Sequence, residues 1–142
     1  MKYLLYSLFF TFSLSISAQN WGSDLSEVKA TASQEDKQIL LVFSGSDWCA
    51  PCMKLEKNVW QTEVFKKHSK DNLVLLKADF PSRKKNQLPQ EQQDKNNALA
   101  EQYNPKGYFP FVVLLDANGK VLNQLGYKSL EPQAYINEIY NY

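Results

Sequence analysis

Phe43-Ser44-Gly45-Ser46-Asp47-Trp48-Cys49-Ala50-Pro51-Cys52 is the stretch on which the fold reading turns. It joins two kinds of chain. Before it, positions 38–43 (QILLVF) form a short, β-rich apolar run, the pattern of a strand buried on both faces. After the polar loop at 44–47, Pro51 sits where the first turn of a helix tolerates it, because the missing N–H would have no partner there. The segment therefore reads as strand, loop and helix, with two cysteines three residues apart at the helix start.

The same alternation continues outward. Positions 24–37 predict a helix, with Asp24 and Glu27 spaced as a capping box. The helix from Pro51 extends to about Val59, and positions 62–68 either continue it past a kink or restart it with Thr62 as N-cap. Positions 73–78 (LVLLKA) predict a second buried strand, 80–88 a basic irregular loop, and 89–103 a polar surface helix. Positions 111–115 (FVVLL) and 120–125 predict a hairpin around the turn Asp116-Ala117-Asn118-Gly119, and 130–142 a closing helix. The order α-β-α-β-α-β-β-α implies an α/β fold with a mixed central β-sheet flanked by helices.

The chain has 142 residues, 44% of them hydrophobic and 22% charged, enough for one packed core and inconsistent with wholesale disorder. A formal net charge of +1 gives no basic excess for nucleic acid. The first residues differ from the rest. Lys2 is the one charge before Asp24, residues 4–16 are apolar apart from Ser and Thr, and Ser15-Ile16-Ser17-Ala18 offers small residues for cleavage. Residues 1–18 are thus expected to be a cleaved signal peptide, the run being shorter than the about 20 residues that span a bilayer. Residues 19–142 would be the mature domain, exported to the periplasm or secreted.

Outside the cytosol a cysteine pair can persist as a disulfide. A bridge between Cys49 and Cys52 closes almost no loop and removes little unfolded-state entropy, so chemistry explains the pair better than stability does. A zinc site needs four ligands, and two Cys with His68, the single His, do not make a set, so no metal is assigned. Haem attachment calls for a His after the second Cys, where this chain has Met53. Redox chemistry suits the spacing. The free N–H groups and positive end of a helix favour a thiolate, lowering the thiol pKa below its free value of about 8.5. Cys49, at the exposed end of the turn, is the expected nucleophile. Cys52, one turn into the helix, is poised to resolve a mixed disulfide.

Trp48-Cys49-Ala50-Pro51-Cys52 resembles the W-C-x-P-C centre of the thioredoxin superfamily, and the order of elements over 38–142 resembles its fold. Among its members the chain looks most like exported thioredoxin-like proteins and the soluble domains of thiol–disulfide interchange proteins. Lys106-Gly107-Tyr108-Phe109-Pro110 resembles the loop that ends in a cis-proline facing the cysteines. The resemblance implies that Pro110 is cis, that the backbone of Phe109 pairs with the substrate chain, and that Trp48, Phe109 and Pro110 form the substrate-binding surface. It implies no cofactor. Two departures stand out. Where many thioredoxins have a buried Asp six residues before the first Cys, an ungapped match puts Phe43, and the accompanying Lys falls near Leu75. Cys52 would then need water or another base, Asp47 or Glu56. The sequence GYFPF also carries one aromatic more than the usual loop, which implies a more hydrophobic groove.

Other residues admit plainer roles. Trp48 is either a platform beside the thiol or packing for its own loop. Trp60 and Phe65 are expected in the core. Lys54 and Lys57 either favour the thiolate or are solvated. Arg83-Lys84-Lys85 is read as a solvated loop rather than a docking patch, and His68 as a surface residue. The expected protein is a monomeric protein-disulfide reductase, since no His lies between the cysteines as in strongly oxidising relatives. Its partners would be protein thiol and disulfide substrates and a membrane or exported electron donor. The alternatives are a disulfide oxidase or isomerase, a non-catalytic peptide-binding module, a peroxidase, and a soft-metal chaperone.

Overall fold

The computed structural model describes residues 19–142; the signal peptide expected at 1–18 lies outside them. The elements are β1 (Trp21–Gly22), α1 (Leu25–Glu35), β2 (Gln38–Ser44), α2 (Ala50–Leu55), a π-helical turn (Glu56–Trp60), α3 (Glu63–Asn72), β3 (Leu73–Asp79), a 3-10 turn (Lys84–Asn86), α4 (Gln90–Tyr103), β4 (Phe111–Leu115), β5 (Val121–Leu125) and α5 (Pro132–Ile139). The strands form one sheet in the order β1-β3-β2-β4-β5. β2 and β3 are parallel, with Val42 opposite Lys77 and Phe43 opposite Ala78, and β4 runs antiparallel to both β2 and β5.

Local chemistry sets the ends. Asp24 caps α1, its side chain accepting from the amides of Ser26 and Glu27 at 2.8 and 3.2 Å. Those bonds, the Glu27 amide first, hold its carboxyl below the usual carboxylate range, and Lys95 adds an ion pair at 3.1 Å. The segment at 62–68 restarts: Thr62 accepts from the Phe65 amide and opens α3. The preceding helix does not simply run on, because its second half widens into the π turn, which the sequence pattern did not reveal. β1 was also missed. Two residues carry no periodicity, and only pairing with Leu75 and Leu76 makes them a strand.

Side chains alternate across the sheet, as a strand requires. Leu40, Val42, Leu75, Val112 and Leu114 face α2, α3 and α5, packing with Leu55, Trp60, Phe65, Tyr135 and Ile139. Ile39, Leu41, Phe43, Leu76, Val113 and Leu115 face α1 and α4, packing with Val28, Ala32, Leu99 and Tyr103. Trp60 and Phe65 are core residues as expected, with ring centroids 4.6 Å apart. His68 is not a free surface residue. It is half-buried, its Nε2 lies 2.8 Å from the Tyr140 hydroxyl, and burial pushes its pKa down.

Candidate redox site

β2 delivers the chain to the sheet's upper edge, and the loop after it turns back into α2. The amide of Cys49 donates to the Gly45 carbonyl at 2.9 Å, closing the turn. Cys49 is the N-cap of α2, with Pro51 in its first turn. Its sulfur is bonded to Cys52 and accepts from the Cys52 amide at 3.3 Å. That amide is one of the orphan donors of a helix start, at the positive end of α2. Both cysteines are 4% exposed. The expectation that Cys49 stands at the exposed end of the turn is therefore corrected. Its sulfur turns inward to Cys52, whereas its neighbours Trp48, at 48%, and Ala50 are exposed.

Trp48 packs its own loop and also remains half exposed. Its indole Nε1 donates to the Phe80 carbonyl at 2.7 Å, which anchors the loop, while half of the ring remains open to solvent beside the cysteines. It meets the Phe109 ring edge-on at 5.3 Å, and Phe109 meets Phe80 at 5.5 Å. The additional aromatic of the GYFPF loop is thus the centre of a ring cluster. The Phe109–Pro110 bond is cis. Around Pro110 a groove of about 670 Å³ is lined by Pro51, Tyr108, Phe111, Leu125 and Tyr127, with Lys106 and Gln124 among its polar members, so the surface at the cis-proline loop is mainly apolar and aromatic.

Asn104 was not singled out from the sequence. It is 3% exposed, donates from Nδ2 to the Tyr108 carbonyl at 2.8 Å, and accepts from the Tyr108 amide at 2.9 Å. This two-way clamp fixes the loop that leads into Pro110. The available signal was an Asn directly after a helix and before Pro105, a turn-forming pair.

The polar groups behind the cysteines differ from the sequence expectation. Phe43 points to the α1/α4 face, so the residue beneath α2 is its neighbour Val42, directly opposite Lys77. One residue along a strand exchanges its faces, so Val42 rather than Phe43 is the β2 residue turned to the α2 side. The acid is missing, but a lysine is present. Asp47 is unsuited as a base. It accepts from the amides of Ser82 and Arg83 at 2.8 and 3.0 Å and from the Asn86 side chain at 2.9 Å. These bonds, the Ser82 amide first, hold its pKa down at about 2. Asp47 organises the 82–86 loop instead. Glu56 is the other candidate, and its Oε2 lies 2.9 Å from Lys77 Nζ. Lys54 and Lys57 stand free of ion pairs among the described residues, and Arg83, Lys84 and Lys85 are exposed.

A Cys-x-x-Cys disulfide at a helix start, set at the edge of a mixed sheet and flanked by a cis-proline loop, defines a thioredoxin-fold dithiol centre. The chain belongs to the thioredoxin-like family, whose model matches residues 20–117. It is 39% identical over 106 residues to the disulfide bond reductase DsbH of Chlamydia pneumoniae, covering 75% of this chain and 62% of that one. It is 32% identical over 60 residues to the thioredoxin-related protein DsbJ of the same organism, spanning 17% of its length. Among solved structures it superposes on a DsbH oxidoreductase with a TM-score of 0.79 at 32% identity, covering 94% of this chain and 90% of that one. A thioredoxin from Thermus thermophilus, at 15% identity and a TM-score of 0.64, shares the fold. Among the described residues no helix is long and apolar enough to cross a membrane.

Proposed function

We propose that this protein is an exported thiol–disulfide oxidoreductase that reduces disulfides of other exported proteins. Cys49 as thiolate attacks a substrate disulfide. Cys52 then attacks the resulting mixed disulfide, releasing the reduced substrate and leaving the Cys49–Cys52 disulfide. Trp48, Phe109 and Pro110 frame the approaching chain, and the aromatic groove accepts its apolar side chains. The observation that carries this reading is the Cys49–Cys52 disulfide at the α2 start, whose sulfur already accepts from the Cys52 amide. The reductive direction is supported by the Ala50-Pro51 pair between the cysteines and by the likeness to a protein named as a disulfide bond reductase. Residues 1–18 would be removed on export to the periplasm, and a membrane or exported partner would return electrons to the monomeric protein.

The deciding measurement is the equilibrium reduction potential of the pair in glutathione and dithiothreitol buffers. A value near or below about −200 mV agrees with a reductase, and turnover of insulin disulfides should accompany it. A value of about −120 to −180 mV would make the protein an oxidase or isomerase. Absence of a reversible transition would leave only a peptide-binding role.

A further inference from the structure

Cys52 raises a problem that the cysteine pair does not solve. To resolve a mixed disulfide it must become a thiolate. Yet it is 4% exposed, and burial among apolar groups raises a thiol's pKa. The strand residues beneath α2, Leu40 and Val42, offer no base. Asp79 is occupied, both its oxygens accepting from Ser46 at 2.9 and 2.6 Å. Asp47 is occupied by the 82–86 loop.

A cavity opens onto Cys52. It measures about 380 Å³ and is lined by Cys52, Ser44, Ser46, Glu56, Gln61 and Lys77, with Lys57 also at its wall. It has room for several waters at about 30 Å³ each, and polar groups to hold them. Glu56 follows Cys52 by four residues and so lies on the same helix side. Its carboxylate is held at two points: Lys77 Nζ lies 2.9 Å from Oε2, and Gln61 Nε2 donates to Oε1 at 2.6 Å. The π turn makes the second contact, bringing residues five apart together, with the Gln61 amide bonded to the Glu56 carbonyl at 3.0 Å. Single π turns recur at functional sites. Lys77 is steadied by the Trp21 ring, 4.3 Å beneath its Nζ.

We propose that Glu56, pinned by Lys77 and Gln61 on the wall of the cavity that reaches Cys52, accepts the Cys52 proton through water when Cys52 resolves the mixed disulfide. The Cys52 thiol passes its proton along water to the Glu56 carboxylate. The Cys52 thiolate forms a bond to Cys49 Sγ, and the bond from Cys49 to the substrate sulfur breaks. The substrate sulfur leaves with the electron pair and takes up a proton from solvent, to which Glu56 returns its own. Two electrons pass from the protein dithiol to the substrate. Glu56 is a positioning and proton-accepting residue acting through water.

The inference rests on the reading that Cys49 attacks and Cys52 resolves. Both are tested by mixing the reduced protein with excess 5,5′-dithiobis(2-nitrobenzoate) and following the released thiolate by stopped flow. Attack by Cys49 gives a first phase whose rate rises with reagent concentration; resolution by Cys52 gives a second that does not. At pH 7, Glu56→Gln should slow the second phase about tenfold or more and leave the first within about threefold. The deficit should close above pH about 9, where hydroxide ionises the thiol unaided. Lys77→Met, which keeps the carboxyl but removes one of the two contacts that hold it, should slow the second phase at pH 7 and leave the first within about threefold. An unchanged second phase in Glu56→Gln, a deficit constant across pH, or both phases slowing together would overturn the role of Glu56. A wild-type protein without two phases would overturn the underlying assignment of the cysteines instead.

Discussion

Gly45→Ala is the substitution that most directly tests how the site loop is built. A Cβ at position 45 would lie 2.3 to 2.6 Å from three atoms of the Trp48 indole, a distance that side chains do not tolerate. The indole must therefore leave its seat. It would lose the bond from Nε1 to the Phe80 carbonyl, worth about 0.5–1.5 kcal/mol. It would also lose the edge contact with Phe109, worth about 0.5–1.5 kcal/mol more. Trp48 is half exposed, so the low to middle part of each range applies, and the combined loss is about 1–2 kcal/mol. Against this, replacing Gly by Ala restricts the unfolded chain and returns about 0.4–1 kcal/mol. The net cost is small, and a single variant would not isolate its cause. The double-mutant cycle does. In a Trp48→Ala background the clash is gone, and Gly45→Ala should become neutral or stabilising by up to about 1 kcal/mol. The coupling energy read from urea denaturation should be about 1–2 kcal/mol. Equal effects of Gly45→Ala in both backgrounds would refute the claim that the glycine exists to seat the indole. On the enzyme, the displaced ring should raise KM for a protein disulfide more than it lowers kcat.

Further expectations follow from the same geometry. Trp60→Ala removes a 1%-exposed ring that touches Trp21, Phe65 and Tyr135, and should cost about 3–5 kcal/mol in chemical denaturation. Asp47→Asn should free the loop carrying Arg83, Lys84 and Lys85, seen as faster tryptic cleavage there, with the overall unfolding midpoint little changed. In the wild type, the Asp47 contribution is complete above the ordinary carboxylate pKa of 3.8, and drains as pH falls through about 2, because the folded state binds that proton more weakly. His68 has its pKa lowered by burial, so the unfolded chain takes up its proton first. Stability should fall as pH drops below 6.5, and His68→Gln should flatten that part of the profile.

Elements whose patterns are local can be read from adjacent residues alone. The apolar runs at 38–43, 73–78 and 111–115 announced three buried strands, Asp24 announced a helix start, Thr62 was one of two readings of 62–68, and the turn at 116–119 announced the hairpin. The Cys49–Cys52 pair at a helix start was legible from its spacing, and the cis bond before Pro110 from the resemblance of its loop to the family's. Features that depend on partners far along the chain emerge only on folding. β1 exists only through β3, and Asn96, buried in a helix read as a polar surface, donates to the Asp79 carbonyl at 2.8 Å. Which of Val42 and Phe43 lies under the cysteines is a matter of strand face, and a single residue of register reverses it. Asp47 and Glu56 are both acids near the centre in sequence. One became the organiser of the 82–86 loop and the other the partner of Lys77 on β3, each by a contact with a segment distant in sequence. Local propensity and spacing are written in adjacent residues, whereas burial, ion pairing and access to water are set by chain segments that meet only on folding.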